Sequence, residues 1–168
     1  MCTLTSGFGL DCKTSTGGLK KVYLQSKGDS DFTFTGGEIT AIDSGNWYEY
    51  DLQPQTANFE ETLTFNRDNS TIFYSQTIAM KLHKLSTAKR NELVEVAQAR
   101  IWAIVVDANN NYILCGFENG LDLSTRTGST GTALGDFNGY DLALTHETPN
   151  PAYHLTSTAI EDLEIVTA

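Results

Sequence analysis

Apolar positions alternate with polar ones along most of this chain, and one stretch changes to a helical spacing. From Thr71 to His83, TIFYSQTIAMKLH places Ile72, Tyr74, Ile78, Met80 and Leu82 on one face of a strand. Phe73, Ser75, Thr77, Ala79, Lys81 and His83 take the other, as a period of two requires. The preceding ANFEETLTFNRD alternates as cleanly, with Phe59, Leu63 and Phe65 opposed to Glu60, Thr62 and Thr64. Asp68-Asn69 between the two runs is turn chemistry, so they are expected to pair as one long hairpin with a single core face.

STAKRNELVEVAQA follows at helical spacing. Ser86 or Thr87 can cap it, and with no Gly or Pro inside it should run to about Ala99. Leu93, Val94 and Ala97 are its expected core face, continued by Ile101, with Lys89, Glu92 and Glu95 toward solvent. Ile101–Val106 is apolar on both faces and predicts a central strand; Asp107–Asn111 turns the chain and Tyr112–Phe117 returns. Upstream, LKKVYLQ and NWYEYDLQ predict strands, and DFTFTGGEITAID predicts two short ones meeting at Gly36-Gly37. Residues 1–18 read as an irregular arm. Residues 118–138 form the longest polar stretch and predict a long loop, carrying Gly128, Gly131 and Gly135. Gly139–Glu147 is a further strand, and AIEDLEIV predicts an edge strand or a short helix. The fold class expected is mainly β within α+β, a sandwich or barrel with one flanking α-helix, as a single domain over residues 1–168.

Composition narrows the function classes. At 168 residues, 40% hydrophobic and 19% charged, the chain is globular and needs no staples to fold. No window approaches 18 continuous apolar residues, so no membrane span or membrane partner is expected. The N-terminus has no basic region followed by an apolar stretch, which argues against a signal peptide and for synthesis in a reducing cytoplasm. A net charge of −10 disfavours stable nucleic-acid binding and suits a surface past which DNA slides without sticking. Cys2, Cys12 and Cys115 form no disulfide framework, and Cys115, in an apolar run, reads as a buried thiol.

No catalytic residue, cofactor or metal site is read. Asp107, Asn109, Asn111 and Glu118 have the spacing of a Ca²⁺ loop, but Tyr112 stands where the sharp turn needs Gly, so the segment reads as a hairpin turn. His83, His146 and His154 lack metal spacing and read as scattered surface residues. The Gly128–Gly135 run lacks the Gly-Lys-Ser/Thr ending of a phosphate loop. Glu60 and Glu61 are consecutive on a strand, face opposite sides and cannot act as a pair. Among Trp47, Tyr48 and Tyr50, only the two tyrosines share a face, as a sugar-stacking platform would need.

The order of long hairpin, single helix after KLSTAKRNELVEVAQA, central strand RIWAIVVD and strand YILCGF resembles the tube-forming proteins of tailed bacteriophages. The segments GFGLDCKTSTGGLKKVYL and ENGLDLSTRTGSTGTALGDFNGYDLALTHETPNPAYHL resemble virion proteins of phages that infect Bacteroidetes. The resemblance implies a tail tube subunit, assembled as stacked hexameric rings around a DNA-conducting lumen. It implies location in the virion tail after synthesis in the host bacterial cytoplasm. The implied partners are copies of itself, other tail or neck proteins, and double-stranded DNA transiently and without sequence preference. Strand edges joining between subunits would close the ring. Phe59, Leu63, Phe65, Ile72, Tyr74, Ile78 and Met80 are then the expected ring-forming hairpin. Glu60, Thr62, Thr64, Ser75 and Thr77 would face the lumen, and Gly128, Gly131 and Gly135 would lie in an inter-ring loop. Another neck or tail ring, or a capsid-decorating or carbohydrate-binding sandwich, is the alternative.

Overall fold

Both faces of Ile101–Asp107 are apolar because both are covered. In the computed structural model, which describes Gly7, Gly9 and residues 13–167, this strand lies inside the larger of two packed sheets. Cys2, Cys12 and most of the expected arm over residues 1–18 lie outside the described residues. In chain order the elements are β1 (Leu19–Ser26), β2 (Asp31–Thr35), β3 (Glu38–Asp43), β4 (Asn46–Asp51), β5 (Ala57–Asn66) and β6 (Thr71–His83). Helix α1 (Thr87–Gln98) follows, then β7 (Ile101–Asp107), β8 (Tyr112–Cys115), β9 (Asp122–Ser129) and β10 (Gly139–Thr148). The chain ends with β11 (Tyr153–His154), α2 (Ser157–Glu161) and β12 (Glu164–Val166).

The six-stranded sheet runs β11-β8-β7-β1-β4-β12, and the four-stranded sheet runs β5-β6-β10-β9. Between them lies the main core. Val22, Leu24, Ala103 and Val105 from the larger sheet meet Ile78, Met80, Leu142 and Leu144 from the smaller. The other face of the larger sheet carries Tyr23, Trp47, Trp102 and Ile104, which are covered by the β2–β3 hairpin and by Ala159 of α2. The molecule is thus mainly β, a sandwich with a flanking helix, and gains a third partial layer from β2, β3 and α2. The AIEDLEIV tail supplies both of its expected forms: α2, then β12, which pairs in parallel with the edge of β4.

Ser86 caps α1, its side chain accepting from the Lys89 amide at 3.2 Å. The expected helix face is corrected in part. Leu93 is buried at 1% exposure, but its companions in the core are Val96 and Ala99, while Val94 and Ala97 are exposed. Positions 93, 96 and 99 follow an i, i+3, i+6 line, and the apolar contact of the helix with the sandwich runs along it.

The long loop expected over residues 118–138 is also corrected. Its middle is β9, paired antiparallel to β10 from Gly139↔Ser129 to Thr145↔Asp122. A register shift between Ala143 and Leu144 leaves Ser124 as an extra residue, so Leu123, Arg126 and Gly128 all lie on the inward face. Such a bulge breaks the period of two. Inward Arg126 lies over the Tyr140 ring at 4.9 Å, and a Cβ at Gly128 would sit 3.3 Å from that ring. Residues 118–121, a turn ending in the Leu121 bridge to Ile101, and residues 130–138 are what remains outside the strand. There the Asp136 carboxylate accepts from the amides of Thr132 and Ala133 at 2.8 and 2.7 Å. Those bonds hold its pKa below the usual carboxylate value.

Candidate functional site

The β5–β6 hairpin is longer than the sheet that supports it. β5 and β6 stay paired from Ala57↔Met80 out to Asn66↔Thr71, whereas β10 leaves β6 at Thr148↔Tyr74. Beyond that point a two-stranded ribbon continues alone to a turn at residues 67–70. Asn66 closes the turn, its Oδ1 accepting from the amides of Asp68 and Asn69 at 2.9 and 3.2 Å.

The register splits the expected ring-forming residues into two sets. Phe59, Ile78 and Met80 belong to the main core, with Ile78 fully buried and Met80 1% exposed. Leu63, Phe65 and Ile72 are 51%, 64% and 56% exposed. Leu63 is opposite half-buried Tyr74, and Phe65 is opposite Ile72, so these four share one face of the ribbon. Leu63, Phe65 and Ile72 thus leave an apolar patch in water at the end of the smaller sheet.

The opposite face is polar. Glu60 pairs with Thr77 and Thr62 with Ser75, while Thr64 sits across from Phe73. The same outward face continues through Asp141, Ala143, Thr145 and Glu147 of β10 and through Asp122, Thr125 and Thr127 of β9. Glu60, Asp122, Asp141 and Glu147 outnumber Lys81 there, whose ammonium lies 3.9 Å from Asp141. The five residues expected to face a lumen therefore share one broad, acidic, hydroxyl-rich face, which among the described residues is overlaid at its Lys81–His83 end by Phe137. The strands β5 and β9 form its margins, and no described strand pairs with their outer edges.

Gly128, Gly131 and Gly135 do not act together. Gly128 is inside β9, Gly131 adopts φ +67° in the following loop, and Gly135 has open space around it. Leu134 in that loop is fully exposed.

At the opposite end of β6 lies a cleft of about 370 Å³ between α1 and the β4 edge, lined by Leu82, His83, Leu93, Tyr48 and Tyr50, among others. Alternation along β4 buries Trp47 completely on the other side of the sheet and leaves Tyr48 47% exposed at the cleft. Tyr50 donates its hydroxyl to Glu92 at 2.6 Å, joining β4 to the helix. Burial and then the Glu92 bond push the Tyr50 phenol well above its ordinary range. On the Trp47 side of β4, Lys21 reaches Glu49 at 2.9 Å and Asp51 at 3.5 Å.

Alternation also implies a buried polar network that the reading of single residues passed over. Gln76, 2% exposed, donates to Glu61 at 3.0 Å and accepts from the Gly116 amide at 3.0 Å. Glu61 in turn accepts from the Ala152 amide at 2.7 Å. His146 is paired across the strand with Gln76, is 7% exposed, and leaves Nε2 without a partner. It is not a surface histidine: it lies two residues beyond Leu144 on the inward face, and that spacing was the available signal. Burial pulls its pKa below the ordinary value, against the nearby charges of Asp122, Glu118 and Glu147.

Asp107 holds the β7–β8 turn, its carboxylate accepting from the backbone and side-chain amides of Asn109 and Asn111 at 2.7–3.1 Å. Burial alone would raise its pKa, but these bonds outweigh it and the net shift is downward. Asn109 also bonds the backbone of Thr16 in both directions, which ties the described end of the N-terminal segment to this turn. His83 makes an edge contact with Phe137, and His154 lies exposed on β11. Cys115 is fully buried, and burial raises its pKa. Among the described residues no three His, Cys, Asp or Glu side chains converge as a metal site would require, and no helix is long and apolar enough to cross a membrane. No protein-family model, curated protein or solved structure matches the chain, so its surfaces are read from their own geometry.

Proposed function

We propose that this chain is a virion structural protein, the tail tube subunit of a tailed bacteriophage, which assembles as stacked rings around a DNA-conducting lumen. The observation that carries the reading is the ribbon projecting past β10, with Leu63, Phe65 and Ile72 exposed on one side of it. A monomer gains nothing from such a feature; an assembly buries it. The open β5 and β9 edges supply unpaired backbone for joining neighbours edge to edge. The acidic outward face with Glu60, Thr62, Thr64, Ser75 and Thr77 then lines the lumen, where like charge keeps the DNA backbone from adhering. The order of long hairpin, helix and central strand is the likeness on which the phage assignment rests.

Negative-stain microscopy of the purified protein tests this. Rings or tubes with a central channel are expected, and isolated small particles at all concentrations would overturn the reading. One observation favours a second reading: exposed Tyr48 beside a cleft is where a carbohydrate-binding module would stack a sugar. Trp47, fully buried, takes no part in such a platform. Isolated particles that retain soluble glycan, and lose it on Tyr48→Ala, would put that reading first.

A further inference from the structure

One row of side chains crosses the smaller sheet where its apolar core stops and the ribbon begins. On the core side of the row stand Phe59, Ile78, Leu144 and Leu123, paired strand to strand. On the ribbon side stand Leu63, Tyr74 and Thr148. The row itself is polar: Glu61 of β5, Gln76 of β6 and His146 of β10 are register partners on the inward face. Gln76 and His146 are 2% and 7% exposed. Buried polar groups cost stability unless each is satisfied, so a set with one member unpaired calls for a reason.

Two of the three tie the base of the ribbon to the larger sheet. Gln76 accepts at Oε1 from the Gly116 amide, just past the end of β8, and Glu61 accepts from the Ala152 amide, just before β11. The Gln76 amide group also donates to Glu61 and so joins the two ties. His146 is the third member, and its buried Nε2 has no partner. Its Cβ stands about 5 Å from that of Gln76, as directly opposite positions do. In the neutral ring Nε2 can stay without a proton. Once the ring is charged, both nitrogens donate, and the acceptor across the strand pair is Gln76 Oε1, which holds Gly116. The groups around His146 are Glu147 on its own strand, Asp122 at the start of β9, Glu118 after β8, Glu61 in its row, the Cys115 thiol ending β8, and Arg100, which lines the same recess. The carboxylates favour a proton on His146, but burial opposes it more strongly, and the Arg100 charge adds to that opposition.

We propose that a proton on His146 draws Gln76 away from the Gly116 amide and frees the base of the ribbon from the larger sheet, so that the Glu61–Gln76–His146 row is a pH-operated hinge for the β5–β6 hairpin. With His146 neutral, the hairpin is held at a fixed angle to the sandwich; with His146 charged, it loses that support. An open form with His146 at the ordinary value near 6.5 gains about tenfold over a closed, neutral form between pH 7.5 and 5.5. The use of the hinge in assembly rests on the tube reading, whereas the hinge itself belongs to the single subunit.

Amide hydrogen exchange of the full chain in its unassembled form, resolved by residue with NMR, is the direct test. After correction for the intrinsic pH dependence of exchange, protection of the Gly116 and Ala152 amides should fall about tenfold between pH 7.5 and 5.5. The fall should be much smaller at Ile104 and Val105 in the doubly covered sheet. His146→Gln should abolish the extra loss at Gly116 and Ala152. His146→Phe, which fills the site without a titrating group, takes its place if the first variant fails to fold. Unchanged protection at Gly116, an equal fall at Ile104 and Val105, or a loss that persists without His146 would each overturn the hinge. Assembly gives a separate readout: the assembled fraction should drop about tenfold from pH 7.5 to 5.5 in the wild type and hold in His146→Gln. Absence of rings or tubes at both pH values would overturn the tube reading, with the hinge still decided by the amides.

Discussion

The two larger sheets of this molecule are built from the same alternating pattern and finished differently. The six-stranded sheet is covered on both faces, by the smaller sheet on one side and by β2, β3 and α2 on the other. Its central strand has no exposed residue from Ile101 to Val106. The four-stranded sheet is covered on one face only, has two open edges, and sends its hairpin past its own neighbour. The first sheet buries most of its apolar residues and exposes Tyr48, Ile165 and Val166 only at its β4–β12 margin, whereas the second keeps Leu63, Phe65 and Ile72 in water on its projecting hairpin. A strand pattern alone does not distinguish these uses. What does is whether a second layer exists to cover the outer face.

If that contrast is right, truncation in the two sheets has opposite consequences. Trp47→Ala empties a fully buried site in the doubly covered sheet and should cost about 3–5 kcal/mol, read from the denaturant midpoint of the dissociated subunit. Phe65→Ala, in the ribbon, should change subunit stability by less than about 0.5 kcal/mol yet reduce assembly seen by sedimentation. Comparable losses of stability for the two would show that the ribbon is part of the monomer's core after all.

The helix gives a finer version of the same test. Leu93 is buried and Val94 is 37% exposed, although they are neighbours of similar chemistry. Leu93→Ala should cost about 2–5 kcal/mol and Val94→Ala under about 0.5 kcal/mol, both by thermal or chemical denaturation. Equal shifts would return the core face to Leu93, Val94 and Ala97. Smaller still is Tyr50→Phe, which removes one hydrogen bond between β4 and α1 and should cost about 1 kcal/mol. It should also remove from the alkaline absorbance titration a phenol that burial and the Glu92 bond push well above its ordinary range.

The hairpin, the helix cap and the central strand were legible because each is local. Alternation, Ser86 ahead of a helical run, and a run apolar on both faces report directly on backbone and burial. β9 was not legible because the bulge at Ser124 shifts its alternation and only Leu123 marks its inward face among large apolar residues. The helix face was misjudged because Leu93, Val94, Val96, Ala97 and Ala99 offer more than one apolar stripe, and which is buried depends on the angle at which the helix meets the sheets. Part of the proposed assembly surface was readable as a face, since Leu63, Phe65 and Ile72 alternate with Thr62 and Thr64. That Phe59, Ile78 and Met80 on the same face are core, while these three are not, depends on where β10 ends. The cleft joins Tyr48 to Leu82 and Glu92 across three elements, and no spacing along the chain encodes that.

The smallest expected effect concerns pH, and it again separates covered from open. His146 is buried beside Gln76, with its pKa lowered by burial more than Asp122, Glu118 and Glu147 can raise it. The unfolded chain takes up a proton at His146 near the ordinary value, about 6.5, whereas the folded chain does so only at lower pH. Between those two values the unfolded state binds more protons, so stability falls as pH drops. The contribution of neutral His146 is whole above about pH 6.5 and is lost once pH passes below the folded value. The exposed His83 and His154 have no comparable burial. His146→Gln should therefore flatten the stability profile just below pH 6.5, as followed by denaturant titration of the dissociated subunit across pH 5–8. A slope that survives His146→Gln would place the proton uptake elsewhere. The burial of that end of the sandwich, where Gln76 and Glu61 close the core beneath the ribbon, would then need a different account.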